Sequence, residues 1–424
     1  MKILVVGGGS GGHITPAMAT VREILELRPR ARIEFWTDRK YYKNVVKLTT
    51  EIGMGWGTES KLSSHKRQYI RVRKIAAGKL HRYANLRIKD YLSNIGWTLR
   101  EVVGKNLVGF LGFSLGFLQT FLRLLPKANR PDAVFLKGGF VGLPVGLSAR
   151  ILGIPYVVHE SDAVPGLANR LLMRKAKVVA MGVPFEMPAK DDDSTEARKI
   201  RKKRFNWEWV GIPIGSEFKK ISKTRQKSLK RAMGFDPEKT LVMITGGSQG
   251  SEHLNRVVKE ILPELLKSTS VGLVAGRKYY EEMMDLKKYE NWDEAQLQSN
   301  FRLWNFNSVM QELLGAADIV VSRAGATTIA ELAALRKTVI LVPFEKLPGG
   351  HQVKNAESLQ KIGAAEVIRD DKMLQKPEKL LEAIKTLVRS PKKRYDLAEN
   401  LQKIVKDDAA AELAKIIVEI GMNK

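Results

Sequence analysis

Residues 1–16 read Met1-Lys2-Ile3-Leu4-Val5-Val6-Gly7-Gly8-Gly9-Ser10-Gly11-Gly12-His13-Ile14-Thr15-Pro16. The apolar run predicts a buried strand, the residues after it a turn built almost wholly of glycine, and Pro16 onward a helix. Strand, glycine turn and helix in that order make the first unit of a doubly wound sheet, and its backbone N–H groups and helix N-terminus are open to an anion. The chain enters this strand without a cleavable apolar stretch, so no signal peptide is expected.

The same alternation continues along the chain. Strands are predicted at Ile33–Trp36, Ala133–Leu136, Tyr156–Val158 and Val178–Met181, then at Leu241–Thr245, Gly272–Ala275, Arg302–Trp304, Ile319–Ser322 and Val339–Val342. Helical patterns cover Pro16–Glu26, Gly166–Lys175, Leu254–Leu266, Val309–Ala316, Thr328–Leu335 and Gln352–Ile362. The fold class is therefore α/β with two parallel sheets. Pro184–Arg204 has two prolines, the acid triplet Asp191–Asp193 and a basic run, which is linker chemistry. A glycine turn, Gly246-Gly247-Ser248-Gln249-Gly250, opens the second half as Gly7–Gly12 opens the first. The expected division is residues 1–187, a linker at 188–216, residues 217–405, and a terminal segment 406–424 whose helix packs on either domain.

At 424 residues, 44% of them hydrophobic, the chain is long enough for two or three cores. It has no cysteine, which excludes disulfides, thiolate metal sites and a cysteine nucleophile together. Lys and Arg number 72 against 45 Asp and Glu, a formal charge of +27 that calls for an anionic partner. Between Lys61 and Arg100 eleven basic residues face only Asp90, and Arg198–Arg204 and Lys219–Arg231 are further basic runs. Any one of these is explained by a solvated helix face; three together are harder to dismiss. A nucleic-acid-binding protein is the alternative from another class, but aromatic residues are only 7% and none interleave with the basic ones in a recognised module. Asn106–Leu122 carries no charge, yet at 17 residues and interrupted by Gly109, Gly112 and Gly116 it sits at the lower limit for spanning a bilayer. It is expected to dock one apolar face on an anionic leaflet.

Three glycine turns suit phosphate: Gly7–Gly12, Lys137-Gly138-Gly139-Phe140-Val141-Gly142 and Gly246–Gly250. None is closed by Gly-Lys-Ser/Thr, and only Asp38 could be the ribose acid of a dinucleotide fold. His13 falls where a helix begins, a place that lowers an imidazole pKa and favours a neutral base; capping or packing is the plainer reading. His159-Glu160-Ser161-Asp162 ends a strand, where ligands of open α/β sheets bind. Ser322–Glu331 combines strand end, small-residue turn and helix start, so its N–H groups suit a diphosphate and Glu331 suits both hydroxyls of a ribose. No spacing implies a metal, and no cofactor is expected.

In order along the chain, Gly8–Ala17, Lys137–Val141, His159–Arg170, Gly246–Gly250 and Arg323–Glu331 resemble the MurG family, the UDP-N-acetylglucosamine transferases of glycosyltransferase family 28 that convert lipid I to lipid II. The resemblance implies a GT-B fold, two Rossmann-like domains facing across a cleft, at the cytoplasmic face of a bacterial membrane. It implies UDP-GlcNAc as donor, undecaprenyl-pyrophosphoryl-MurNAc-peptide (lipid I) as acceptor, an anionic membrane surface as partner, and no nucleic acid. Carried over by motif, Ser248 and the turn Ala326, Thr327, Thr328, Ile329 and Ala330 meet the donor diphosphate, Glu331 the ribose, Gln352 the sugar hydroxyls and Phe306-Asn307 the uracil. Ser10, Gly11 and Gly12 serve donor and acceptor, Lys137, Gly138, Gly139, Phe140 and Asn169 the acceptor, Asp162 the donor sugar, and His13 the catalytic step. Two departures stand out. Ser161-Asp162 replaces the family's Gln-Asn after His-Glu, and Gly211-Ile212-Pro213-Ile214-Gly215 lacks the arginine expected near the donor phosphates. Other GT-B enzymes, a transferase acting on a diacylglycerol-type lipid or a UDP-GlcNAc epimerase, are the nearest alternatives.

Overall fold

The computed structural model describes residues 1–54, 70–79, 98–162, 165–183, 206–247, 250–284, 293–305, 309–345 and 350–423. Most of Lys61–Arg100, all of Asp191–Asp193 and Arg198–Arg204, and the expected ligand residues Ser248, Phe306 and Asn307 lie outside these. The chain divides into one unit of Met1–Gly215 with Asp408–Lys424 and a second of Ser216–Asp407.

In the first unit β1 (Lys2–Val6), β2 (Arg32–Thr37), β3 (Ile70–Lys74), β4 (Ala133–Leu136), β5 (Tyr156–Glu160), β6 (Val178–Met181) and β7 (Trp207–Trp209) form a parallel sheet in the order β3-β2-β1-β4-β5-β6-β7. β4 and β6 are buried along their whole length, and β1 is after Lys2, which is why these strands read as unbroken apolar runs; β5 is buried throughout as well, His159 and Glu160 included. Alternate side chains feed two cores. Ile3, Val5, Phe35 and Phe135 pack with the Gly11–Leu27 helix and with Leu413, Ala414 and Ile417 of the Ala409–Met422 helix; Leu4, Val6, Trp36 and Leu136 face the other side.

In the second unit β8 (Leu241–Thr245), β9 (Ser270–Val274), β10 (Phe301–Trp304), β11 (Ile319–Ser322), β12 (Thr338–Leu341) and β13 (Glu366–Val367) run in the order β10-β9-β8-β11-β12-β13, again all parallel. Each sheet reverses its winding beside its first strand, between β1 and β4 and between β8 and β11. A doubly wound sheet leaves its ligand crevice at that point.

Several expectations need correction. The stretch 188–216, read as linker, contains β7, whose pairing with β6 keeps the chain in the first unit as far as Gly215. Three residues are too few to show a period. β3, inside the basic stretch, was hidden by its own cations: Ile70-Arg71-Val72-Arg73-Lys74 is an edge strand, where charge is common. β13, only two residues, was also missed. The helix expected at Thr328–Leu335 starts earlier, at Ala326, which puts Glu331 in its second turn.

The Lys105–Leu124 helix buries only a narrow seam of Gly109, Gly116, Thr120 and Leu124. Thr120 Oγ1 lies 2.8 Å from Ser148 Oγ, and Gln119 Oε1 accepts the Ala76 N–H at 2.9 Å. A Cβ at Gly116 would stand 1.9 Å from the Ala76 carbonyl oxygen, so only glycine permits this approach. Gly116→Val is expected to destabilise the chain by about 1–3 kcal/mol through overpacking. Urea unfolding checks this; an unchanged midpoint would mean that the helix does not sit on the 76–78 backbone. The opposite face carries Val108, 70% exposed, with Leu111, Leu115, Leu118 and Leu122 all more than half exposed.

Candidate active site

At the first sheet's reversal, the loops after β1, β4 and β5 meet. His13 Nδ1 lies 2.8 Å from the Gly8 carbonyl oxygen and 3.2 Å from Ser10 Oγ. A carbonyl only accepts, so Nδ1 carries the proton and donates to Gly8, leaving the Nε2 lone pair available. Burial, and after it the charge of Lys137, holds the imidazole down at about 4, outweighing the Gly8 hydrogen bond and the charge of Asp162. His13 is therefore neutral at pH 7. Gly139 passes the ring at φ +77°, and a Cβ there would come within 2.9 Å of His13 Nδ1. Gly138, at φ +104°, lies against the Asn169 amide in the same way.

Lys137 is only 1% exposed, and its Nζ donates to Ser161 Oγ at 2.6 Å. The side chain is thus turned inward, and what the Lys137–Phe140 turn offers a ligand is backbone. Burial lowers the Lys137 ammonium to about 8, against the support of Glu160 and Asp162. Glu160 is buried too; its carboxylate accepts from the Asp162 and Gly166 N–H groups at 3.0 and 2.9 Å and from Asn169 Nδ2 at 2.9 Å. Burial first, and the charge of Asp162 next, push its pKa up. Asn169, expected at the acceptor, thus spends its amide nitrogen on Glu160 and the His159 carbonyl; its Oδ1 is buried without a partner among the described residues. The Asp38 carboxylate is turned to backbone of its own unit, accepting the Gly9 and Tyr41 N–H groups at 2.6 and 3.2 Å.

At the second sheet's reversal, β11 leads through Arg323-Ala324-Gly325 into the Ala326–Ala334 helix, which has no side-chain cap at Gly325. The positive end of that helix is the natural seat for a diphosphate. Glu331 is partly buried, and burial first, then the charge of Glu217, raises its carboxyl to about 8. Gln352 follows Gly350 at the start of the His351–Lys361 helix, and its Oε1 accepts the Phe344 N–H at 2.9 Å.

Sequence reasoning missed the support beneath this cradle. Arg323 Nη1 meets Asp370 Oδ1 at 2.5 Å and its Nη2 meets Ser251 Oγ at 2.6 Å, while His253 Nδ1 meets Asp370 Oδ2 at 2.5 Å. Ser251 also caps the Glu252–Leu266 helix, so one arginine ties the loops after β8 and β11 together. Asn355 adds a bond from Nδ2 to the Ala324 carbonyl at 3.2 Å.

Two doubly wound units, each with a phosphate-suited turn at its reversal point, are the plan of a nucleotide-sugar glycosyltransferase of the GT-B type. The glycosyltransferase family 28 N-terminal domain matches residues 3–181 and the family's C-terminal domain matches residues 241–414, and the chain belongs to that family. It is 33% identical over 420 residues, 99% of this chain and all of the relative, to the UDP-N-acetylglucosamine--N-acetylmuramyl-(pentapeptide) pyrophosphoryl-undecaprenol N-acetylglucosamine transferase of Thermoanaerobacter sp. (strain X514). The protein of that name from Carboxydothermus hydrogenoformans is 30% identical over 419 residues, 98% of this chain and 97% of the relative. Among solved structures, Acinetobacter baumannii MurG shares the fold, with a TM-score of 0.66 at 22% identity over 99% of both chains.

Proposed function

We propose that this chain is an inverting hexosyltransferase that moves N-acetylglucosamine from UDP-GlcNAc to the 4-hydroxyl of the N-acetylmuramyl group of lipid I, giving lipid II. One observation carries the reading: likeness to transferases of that name runs through 99% of the chain, including the glycine turns at both reversal points. In the step, the acceptor 4-oxygen bonds to the anomeric carbon as its bond to the diphosphate oxygen breaks, and UDP departs. The N-terminus of the Ala326–Ala334 helix offsets the charge developing on the leaving diphosphate. Glu331 accepts from the ribose hydroxyls, and the Gln352 side-chain nitrogen donates to the sugar. The Ser10–Gly12 and Gly138–Phe140 backbone holds the acceptor pyrophosphate, and His13 Nε2 takes the proton of the 4-hydroxyl. An imidazole held near 4 is a weak base, but a bound pyrophosphate brings negative charge beside it and raises its proton affinity when it is needed. Turnover of a panel of nucleotide sugars with and without lipid I tests the reading; it requires UDP-GlcNAc to be consumed only when the acceptor is present.

The membrane is proposed as the second partner. The exposed leucines of the Lys105–Leu124 helix enter the acyl boundary, and the basic residues of the first unit face anionic headgroups, each adding about 1 kcal/mol at best. Flotation with vesicles is expected to rise steeply with anionic lipid and fall with salt. Equal binding to neutral vesicles at high salt would point instead to a helix that inserts.

A further inference from the structure

A cavity of about 210 Å³ opens on the first sheet, lined by Lys2, Glu34, Trp36, Arg73, Arg123 and Asn129 with apolar neighbours. Lys2 begins β1 and Asn129 precedes β4, so the cavity lies toward the strand starts, away from the glycine turns of the candidate site. Parallel sheets of this kind ordinarily carry apolar side chains on both faces. Here the register sets Lys2, Glu34, Trp36 and Arg73 on the face that also carries Leu4 and Val6, so that face turns from apolar to charged between β1 and β3. The charged groups are joined by contact. Glu34 Oε2 accepts from Trp36 Nε1 at 3.0 Å and stands 3.3 Å from Arg73 Nε. Glu34 Oε1 stands 3.6 Å from Lys2 Nζ, which donates to the Asn129 carbonyl at 2.6 Å. Arg123, in the last turn of the Lys105–Leu124 helix, places its guanidinium 5.9 Å from the centre of the Trp36 ring.

We propose that this cavity binds a phosphate monoester. Among the described lining residues three cations stand against one carboxylate, an excess of two positive charges. A monoester carries close to two negative charges at pH 7, and its oxygens suit the planar forks of Arg73 and Arg123. The Glu34 contacts tie Lys2 and Arg73 to one carboxylate, so both cations are held in place before a ligand arrives. Burial first, and the charge of Arg73 next, lower the Arg123 pKa, so an anion shared by the two guanidiniums relieves a repulsion that the free protein carries. The monoester is either dissolved or the headgroup of a lipid. Leu122 and Leu125, 56% and 46% exposed and close to Arg123 in the chain, favour a lipid whose acyl chains lie on that helix face. The lipid source rests on the membrane docking proposed above; the cavity itself does not.

The test uses the full-length protein, saturated with UDP to fill the donor turn, on neutral vesicles doped with phosphatidate or with phosphatidylglycerol to equal surface charge. Phosphatidate, a monoester, should be preferred over the diester by roughly tenfold or more, the effect of one charge-assisted contact. Arg123→Gln and, on the β1 side of the cavity, Lys2→Gln should each erase that preference. Arg123→Lys keeps the surface charge and loses the fork, so it should weaken phosphatidate binding and leave phosphatidylglycerol binding in place. A plain basic surface would weaken on both lipids alike in the two Gln variants and on neither in Arg123→Lys. Calorimetry with inorganic phosphate, again with UDP present, separates the sources. Saturable binding that both Gln variants abolish, without a lipid preference, makes the ligand a dissolved monoester, and the proposal stands. Equal affinity for both lipids, together with no phosphate binding that those variants remove, overturns the proposal and leaves the membrane docking intact. Phosphate held by the cavity while every vesicle is ignored upholds the proposal and overturns the membrane docking.

Discussion

Replacing His13 with alanine is expected to lower kcat by about 10²- to 10⁴-fold, the usual effect of removing a general base, with UDP binding unchanged. The pH dependence sharpens this. A base held at about 4 is deprotonated throughout the neutral range, so kcat/KM for lipid I, measured at saturating donor, should be flat from about pH 6 to pH 7.5 and fall only as the pH approaches 4. An imidazole at its ordinary 6.5 would already have lost half its activity at pH 6.5. Stability follows the same group. The unfolded chain takes up the proton near 6.5 and the folded one only near 4, so between those values the unfolded state binds more protons and stability declines as the pH falls through the window. His13→Ala should flatten that decline. Steady-state kinetics and urea unfolding across pH 4–7 measure both; turnover within threefold of wild type would leave His13 a packing role only.

Glu331→Ala is expected to weaken UDP binding roughly ten- to a hundredfold, since hydrogen bonds to a charged group contribute about 1.5–3 kcal/mol. The free protein holds this carboxyl near 8, so at pH 7 it is mostly protonated. Ribose hydroxyls that donate to it favour the ionised form, so UDP binding should release a proton at pH 7, and affinity should rise as the pH climbs toward 8. Calorimetry in two buffers of different ionisation enthalpy reads this directly. No proton release, together with unaltered affinity in Glu331→Ala, would remove Glu331 from the ribose.

The legible parts of the fold were those whose burial writes itself into composition. β1, β4 and β6 are buried on both faces, and their apolar runs marked their ends to the residue. β5 extends two residues past its apolar run, through His159 and Glu160, where the Gly211 carbonyl takes up His159 Nε2 and the Asn169 amide donates to Glu160. No local pattern could announce such distant partners. The glycine turns of the candidate site were legible for a similar reason: positive φ and close approach leave glycine as the fitting residue at 138 and 139. The family resemblance carries Lys137 over as an acceptor ligand, whereas its side chain is turned to Ser161, 24 residues on. Arg323 and Asp370 lie 47 residues apart and meet only once the second sheet is formed.

The central claim is tested most directly by incubating the purified full-length protein with radiolabelled UDP-GlcNAc and lipid I in anionic vesicles, then identifying the labelled product. The account predicts one N-acetylglucosamine added to the lipid in β-linkage at the muramyl 4-oxygen, and no consumption of the donor when lipid I is left out. Conversion of UDP-GlcNAc to its 2-epimer without acceptor, or label carried on diacylglycerol in place of lipid I, would contradict it.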